Sequence, residues 1–264
     1  MSVKRIPPPR LIIAEITRHC NSSCVFCDHS IDMRGTMPVD MFVALLDDFP
    51  DVREIHPCWF GEGMLHPEYF RIIEEAKKRG KRLVMFTNGS VIHRQLDALR
   101  LLSRGDRVIV SVEGRDAPTY EAIRRGLSWE RLLENVELFR KNRQAGVSLV
   151  ARITACQEIR GDMKEVRRFW EARTDRVRVE TEKPLVRSIV GHYRHRSCDR
   201  PAKHLTVRYD GELALCCIDY DASVGLGNIR SGARLAWETS ALKRHCGHDM
   251  CQKCLWKFVP EKTI

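Results

Sequence analysis

The chain has 264 residues, 43% of them hydrophobic and 30% charged, enough for one large domain with a buried core plus a small appendage. Its longest apolar runs, such as "LIIA" and "VALL", are too short to cross a bilayer, and "MSVKRIPPPR" has prolines where an export signal needs an apolar core, so a cytoplasmic protein is expected. The net charge of +10 favours an anionic partner, and eleven cysteines in a reducing compartment favour metal or redox chemistry over structural disulfides.

After an N-terminal extension (1–10), "LIIAEIT" reads as a strand, and "PVDMFVALLDDF" as a helix with Pro38 at its start. "VREIHPCW" then leads to the helix "PEYFRIIEEAKKRG", which ends on Gly80. "KRLVMFT" leads to the helical pattern "VIHRQLDALRLLSRG", and "DRVIVSV" to "APTYEAIRRG" and "WERLLENVELFRKNRQAG". "VSLVARIT", "MKEVRRFWEAR" and "DRVRVE" complete six strands with intervening helices. That order predicts a parallel α/β fold over 11–182, with functional residues in loops at the carboxyl ends of the strands. From 183 the pattern changes. A basic linker precedes "LTVRYDGELALCC", a hairpin around Asp210-Gly211. A helix, "ARLAWETSALKRHC", and the cysteine-rich "CGHDMCQKCLWKF" follow, in a segment short enough to need a metal centre for its organisation.

The loop after the first strand, "CNSSCVFC", holds Cys20, Cys24 and Cys27. Three thiolates can hold three irons of a four-iron cluster and leave the fourth open to an exogenous ligand. A zinc site completed by His19 or His29 is the plainer alternative.

With its Cys-x3-Cys-x-aromatic-Cys spacing, the loop resembles that of the radical SAM enzymes. "FGEGMLHPEYF" looks like their Gly-Gly-Glu element, with Phe60 replacing the first glycine. "FTNGS" is similar to their third-strand element, and "SVEGRDAPTYEAIRRG" to their fourth-strand Ser-x-Asp-Gly, with Glu113 for aspartate. The resemblance implies a partial (β/α)6 barrel that binds S-adenosyl-L-methionine (SAM) at the open iron. It also implies an external electron donor such as flavodoxin or ferredoxin, and a 5′-deoxyadenosyl radical that abstracts a substrate hydrogen. Carried over by position, Phe26 would contact adenine, Gly61 and Glu62 the methionyl ammonium, and Ser111 the carboxylate. Asn88 would belong to the same cofactor region, and Glu113 would reach the ribose or cap the following helix.

Cys198-x12-Gly211-x4-Cys216 with Cys251-x2-Cys254 resembles the twitch and SPASM extensions of these enzymes, which bind an auxiliary four-iron cluster. The implied ligands are Cys198, Cys216, Cys251 and Cys254, with Cys246 in reserve, and a four-cysteine zinc site is the plainer reading. Cys58, Cys156 and Cys217 are candidate hydrogen donors, against the ordinary role of cysteine as a small buried residue. His192, Tyr193 and His195 in the linker could meet substrate. Arg124 and Arg125 could hold an anion or form a solvated helix end, while Trp129 and Trp170 belong to the core. The expected function is hydrogen abstraction from a polar or anionic small molecule, as in sugar- and aminocyclitol-modifying members, with oxidation of a secondary alcohol first. Epimerisation and peptide modification are the alternatives. A zinc-clustered nucleic-acid-binding protein would explain the charge and cysteines, but not the ordered elements at the strand ends.

Overall fold

The computed structural model describes residues 6–27, 34–181, 198–245, 247–252 and 254. Eight strands form one sheet: β1 (Leu11–Ala14), β2 (Glu54–His56), β3 (Arg82–Thr87), β4 (Arg107–Ser111), β5 (Ser148–Ala155), β6 (Arg176–Thr181), β7 (His204–Val207) and β8 (Leu213–Ala214). Their spatial order is β6-β5-β4-β3-β2-β1-β7-β8. Strands β1 to β6 run parallel, so each connection must cross over. The crossovers carry α1 (Val39–Asp48), α2 (Tyr69–Lys78), α3 (Leu96–Arg100), α4 (Ala117–Ile123), α5 (Trp129–Asn142) and α6 (Met163–Glu171). This is the expected partial (β/α)6 barrel, with β6 and β8 at the edges of its sheet.

Alternation along the strands separates two faces. Leu83, Met85, Val108, Val110, Leu149 and Ala151 join the main core under the helices, where Trp129 and Trp170 also lie. Val84, Ile109 and Val150 form a small second cluster with Phe86 on the other, inner face. Strand register places Ser111, Arg152 and Arg178 side by side on that inner face, at the carboxyl end of the sheet.

The hairpin read from "LTVRYDGELALCC" is present, with Gly211 at its turn. Gly211 has φ +89°, and a Cβ there would stand 2.7 Å from Asn228 Oδ1. The hairpin continues the barrel sheet: β7 pairs in parallel with β1 along Leu11–Ala14 and His204–Val207, and β8 returns antiparallel. Cys216 and Cys217 therefore follow a hairpin whose first strand neighbours the one feeding "CNSSCVFC". Among the described residues, three short helices follow in the C-terminal part: α7 (Arg200–Lys203), α8 (Ala233–Thr239) and α9 (Asp249–Gln252). Asp48 of α1 accepts from the Ala233 and Arg234 N–H groups at the start of α8, tying barrel to extension.

Two helical patterns are shorter than expected. Across 91–105 only a 3-10 turn and α3 form, because Gln95 leaves helical geometry and donates to Met64 O at 2.8 Å. Asp106, buried under the following loop, accepts from Ser103 N and Leu83 N and pairs with Lys77 at 2.6 Å. Across 233–246, α8 stops at Ser240, whose hydroxyl turns back to Trp237 O. Among the described residues no helix is long and apolar enough to cross a membrane.

Lys81, placed by the sequence at the start of a strand, is almost fully buried, and its Nζ donates to Phe49 O, Pro50 O and Val52 O at 2.8–3.0 Å. It satisfies three carbonyls that close the α1–β2 connection. Replacing Lys81 by Met should remove that donor from all three, with only Phe49 O keeping the Val52 N–H, at a cost of about 3 kcal/mol. The thermal midpoint should fall by about 5–10 °C. An unchanged midpoint would show that the clamp is dispensable.

Candidate cofactor site and cysteine-lined cavity

The loop after β1 is fastened to the last turn of α4. Ser23 N and Val25 N donate to Arg125 O and Ile123 O at 2.9 and 3.0 Å, and Ser22 Oγ also donates to Arg125 O. Within the loop, Cys27 N donates to Cys24 O, and Ser22 Oγ lies 3.1 Å from Cys24 Sγ. Burial, with nearby Glu62, Cys24 and Cys27, pushes the Cys20 thiol up to about 11. The three cysteines and Glu62 thus share one electrostatic environment at the top of the barrel.

Glu62 is built in from all sides. Its carboxylate accepts from Asn88 N at 2.6 Å, Thr87 Oγ1 at 2.9 Å and Met64 N at 3.2 Å, and its N–H donates to His19 O. Burial pushes its carboxyl upward, and these donors pull the other way. Gly61 has φ +77° and packs against the backbone of Thr17 and Arg18. Arg18 is itself held by a two-point contact with buried Glu15 and by donation to Tyr220 O at 2.7 Å. Asn88 Nδ2 donates to Asn21 Oδ1, and Asn21 Nδ2 donates to Ser90 Oγ, so the third-strand loop braces the cysteine loop. Asn135 of α5 holds this bracing loop through Gly89 O and Ser90 O.

Helix α4 is capped by Asp116, which accepts from Thr119 N, and this corrects the capping role considered for Glu113. Glu113 is fully buried and accepts from Arg124 Nε and Nη2 at 2.5 and 3.0 Å and from Thr154 N at 3.0 Å. Arg124 is 7% exposed, so it is no solvated helix end, while Arg125 is exposed. Its remaining Nη1 lies 3.4 Å from Cys24 Sγ, and its Cζ lies 5.1 Å from the centre of the Phe26 ring. One sequence signal pointed there: Tyr120, Ile123 and Arg124 have the i, i+3, i+4 spacing of one helix face, and the first two are apolar core. The Tyr120 hydroxyl is buried without a hydrogen-bond partner and lies in the field of Arg124, Glu113, Cys24 and Glu62. A three-thiol loop, a buried carboxylate, the Ser111 hydroxyl and an orphaned hydroxyl suit an iron-bound cofactor with amino and carboxylate groups.

A second group lines one cavity: Cys198, Cys216, Cys217, Cys251 and Cys254, with Arg200, Pro201 and Ile218. Four of these are the implied auxiliary ligands, and Cys217 is a fifth thiol beside them. Asp219 shapes the loop by accepting from Leu215 N, Ser223 N and Ser223 Oγ. Burial and the neighbouring thiols push the Cys216 thiol well above its usual range. Among the described residues no three His, Cys, Asp or Glu side chains converge as ligands of a single metal ion; these thiols instead surround a shared space. Cys246, His29, His192, Tyr193 and His195 lie outside the described residues.

Of the remaining candidates, Cys156 packs into the main core, away from the second, inner cluster. Cys58 accepts from Phe86 N at 3.4 Å and lies in the field of Glu62 and Arg152. Burial pushes both thiols up to about 12, so each keeps its S–H hydrogen at neutral pH. The segment after Cys58 also joins the two sites: Trp59 Nε1 donates to Cys217 O at 2.8 Å, and the Phe60 ring meets Tyr220 edge-on at 5.1 Å. Phe60 thus has a packing role in the place where the family pattern has glycine.

Residues 14–169 match the radical SAM superfamily, and residues 198–255 match an iron–sulfur cluster-binding domain. A tungsten-containing aldehyde ferredoxin oxidoreductase cofactor-modifying protein of Pyrococcus furiosus is 36% identical over 88 residues, 31% of this chain and 25% of that protein. An AdoMet-dependent heme synthase of Nitratidesulfovibrio vulgaris is 34% identical over 123 residues, 45% of this chain and 33% of that protein. The chain thus spans about a quarter to a third of these relatives' length. Among solved structures, BtrN in complex with AdoMet and 2-DOIA aligns with a TM-score of 0.59 over 94% of this chain and 89% of that one, at 15% identity, a likeness of fold.

Proposed function

The chain belongs to the radical SAM superfamily, and on that premise we propose that it begins an oxidation by taking a hydrogen atom from a polar or anionic small molecule. Its cofactors are SAM and iron–sulfur clusters, one in the barrel and an auxiliary one in the C-terminal region. When bound, they supply the 5′-deoxyadenosyl radical that does the abstraction. Cys20, Cys24 and Cys27 would hold the barrel cluster, and Cys198, Cys216, Cys251 and Cys254 the auxiliary one. Gly61, Glu62 and Ser111 would orient the methionyl group, Phe26 the adenine, and Asn88 the loop between them. An external flavodoxin or ferredoxin would supply the starting electron.

The observation that carries oxidation is the Trp59–Cys217 link. Converting a secondary alcohol to a ketone requires, after the hydrogen atom is taken, loss of the hydroxyl proton to solvent or a base and of one further electron, which the auxiliary cluster would accept. Trp59 and Phe60 provide packed contact between the Gly61–Glu62 loop and the residues beside the four-cysteine cavity. An epimerase needs a returning hydrogen instead, and Cys58 is better placed than Cys156 to give one.

Arg152 supports an anionic substrate. It shares a row with Ser111 and Arg178 and stands 5.6 Å over the Phe86 ring; Arg152 and Arg178 divide the one Glu180 carboxylate, at 2.9 and 3.2 Å, which leaves one positive charge in excess. A cofactor precursor bearing carboxylates is therefore a second reading beside sugars and aminocyclitols. The names of the relatives, a heme synthase and a cofactor-modifying protein, favour it.

Incubation with substrates deuterated at single positions should place deuterium in 5′-deoxyadenosine and identify the attacked carbon. In the Cys216→Ala variant that transfer should persist while oxidised product falls by roughly 100-fold or more relative to SAM cleavage. Undiminished product would overturn the oxidative role of the second site.

A further inference from the structure

We infer that Arg124 is a positioning residue that sets the reduction potential of the barrel cluster, with Glu113 holding it in place and moderating its charge. The inference rests on the reading of Cys20, Cys24 and Cys27 as the ligands of that cluster. Its structural basis is the direction in which the guanidinium is forced to point.

Guanidinium is a rigid planar fork with five donors. Its Nε and Nη2 edge faces Glu113 at 2.5 and 3.0 Å, and Glu113 is fixed in turn by Thr154 N of β5. With that edge committed, the plane cannot rotate, and Nη1 is left 3.4 Å from Cys24 Sγ. The Phe26 ring beneath Cζ adds a third restraint. Arg124 closes the same α4 turn whose carbonyls at Ile123 and Arg125 receive the N–H groups of the cysteine loop. A guanidinium keeps its proton at any working pH, so this one stays a cation where it is held. The arrangement therefore fixes a buried cation against one cluster thiolate and a buried anion one step behind it.

Hydrogen bonds to cluster sulfurs and local net charge are established levers on iron–sulfur potentials. Reduction adds an electron at the cluster. A cation touching Cys24 favours the reduced form, and the anion behind it disfavours that form. The two residues should therefore act with opposite signs, which a merely structural pin would not produce.

The test is an EPR-monitored redox titration of the anaerobically reconstituted full chain, following the reduced-cluster signal that changes when SAM is added. Arg124→Met should lower the reduced-to-oxidised ratio at a given ambient potential by about tenfold, equivalent to about 59 mV for one electron. Glu113→Gln, which removes the negative charge while its one amide oxygen can still accept from Arg124 Nη2 and Thr154 N, should move the midpoint upward. Arg124→Lys should recover part of the Arg124→Met shift, since it restores charge without the two-sided fork.

Midpoints equal to wild type at full iron content would overturn the inference, as would shifts of the same sign in both variants. If Arg124→Met does not load iron, Glu113→Gln decides: an upward shift supports the inference and an unmoved midpoint overturns it. A wild-type protein with no SAM-responsive iron signal would be a different failure, removing the cluster assignment itself.

Discussion

Alanine at Cys20, Cys24 and Cys27 together should leave a folded protein that keeps only its auxiliary iron and makes no 5′-deoxyadenosine. Wild type should carry about eight irons as two four-iron clusters, and the triple variant about four. The loss should be complete because the thiols outside the loop are poor substitutes. Cys156 belongs to the main core, and Cys58 is fixed between Val84 O and Phe86 N. The fold should survive, since the loop hangs on backbone bonds from Ser23 and Val25 to α4 that alanine at the three positions leaves in place. Iron analysis and a chromatographic assay for 5′-deoxyadenosine check both halves. Persistent SAM cleavage would sink the assignment; loss of all iron would mean that the two centres form interdependently.

The barrel was legible in the sequence because its signals are local and repeated. Each buried parallel strand is a short apolar run, and each crossover has helical periodicity. "DRVIVSV" and "VSLVARIT" became β4 and β5 with little adjustment. The cysteine spacings were equally local. What stayed hidden depends on contacts distant in the chain. Arg124 looks like half of a surface "RR" pair, and its burial follows from Glu113 eleven residues earlier and Cys24 a hundred residues earlier. Trp59 gave no sign of its partner at Cys217, since that contact exists only because β7 pairs with β1. The same pairing makes the hairpin a continuation of the barrel sheet, which strand-sized sequence windows cannot reveal. Lys81 misleads in the opposite direction: a charged residue beside a strand reads as surface, yet three backbone carbonyls draw it inside.

Gly61→Ala should be the most damaging single-methyl change in the barrel, lowering 5′-deoxyadenosine formation by about 100-fold or more. A Cβ at this position would stand 2.6 Å from Arg18 C, 2.7 Å from Arg18 O and 2.8 Å from Thr17 O. All three are backbone atoms, so no side chain can swing aside. Arg18 cannot retreat easily either, because Glu15 and Tyr220 O grip its guanidinium and its N–H donates to Gly35 O. The displacement must pass to Cys20 on one side or to Glu62 on the other. Glu62 would lose its N–H bond to His19 O, while its carboxylate stayed anchored by Thr87 and Asn88. Gly80→Ala separates close approach from backbone strain alone. Gly80 has φ +65° but nothing within 4 Å of its Cβ position, so alanine there should cost only about 1–2 kcal/mol of stability and leave SAM cleavage intact. If the two variants cleave SAM equally well, the contact between Gly61 and the cysteine loop has no bearing on the cofactor site. A large difference, with auxiliary iron retained in both, ties the glycine to the geometry that joins Glu62 and Cys20.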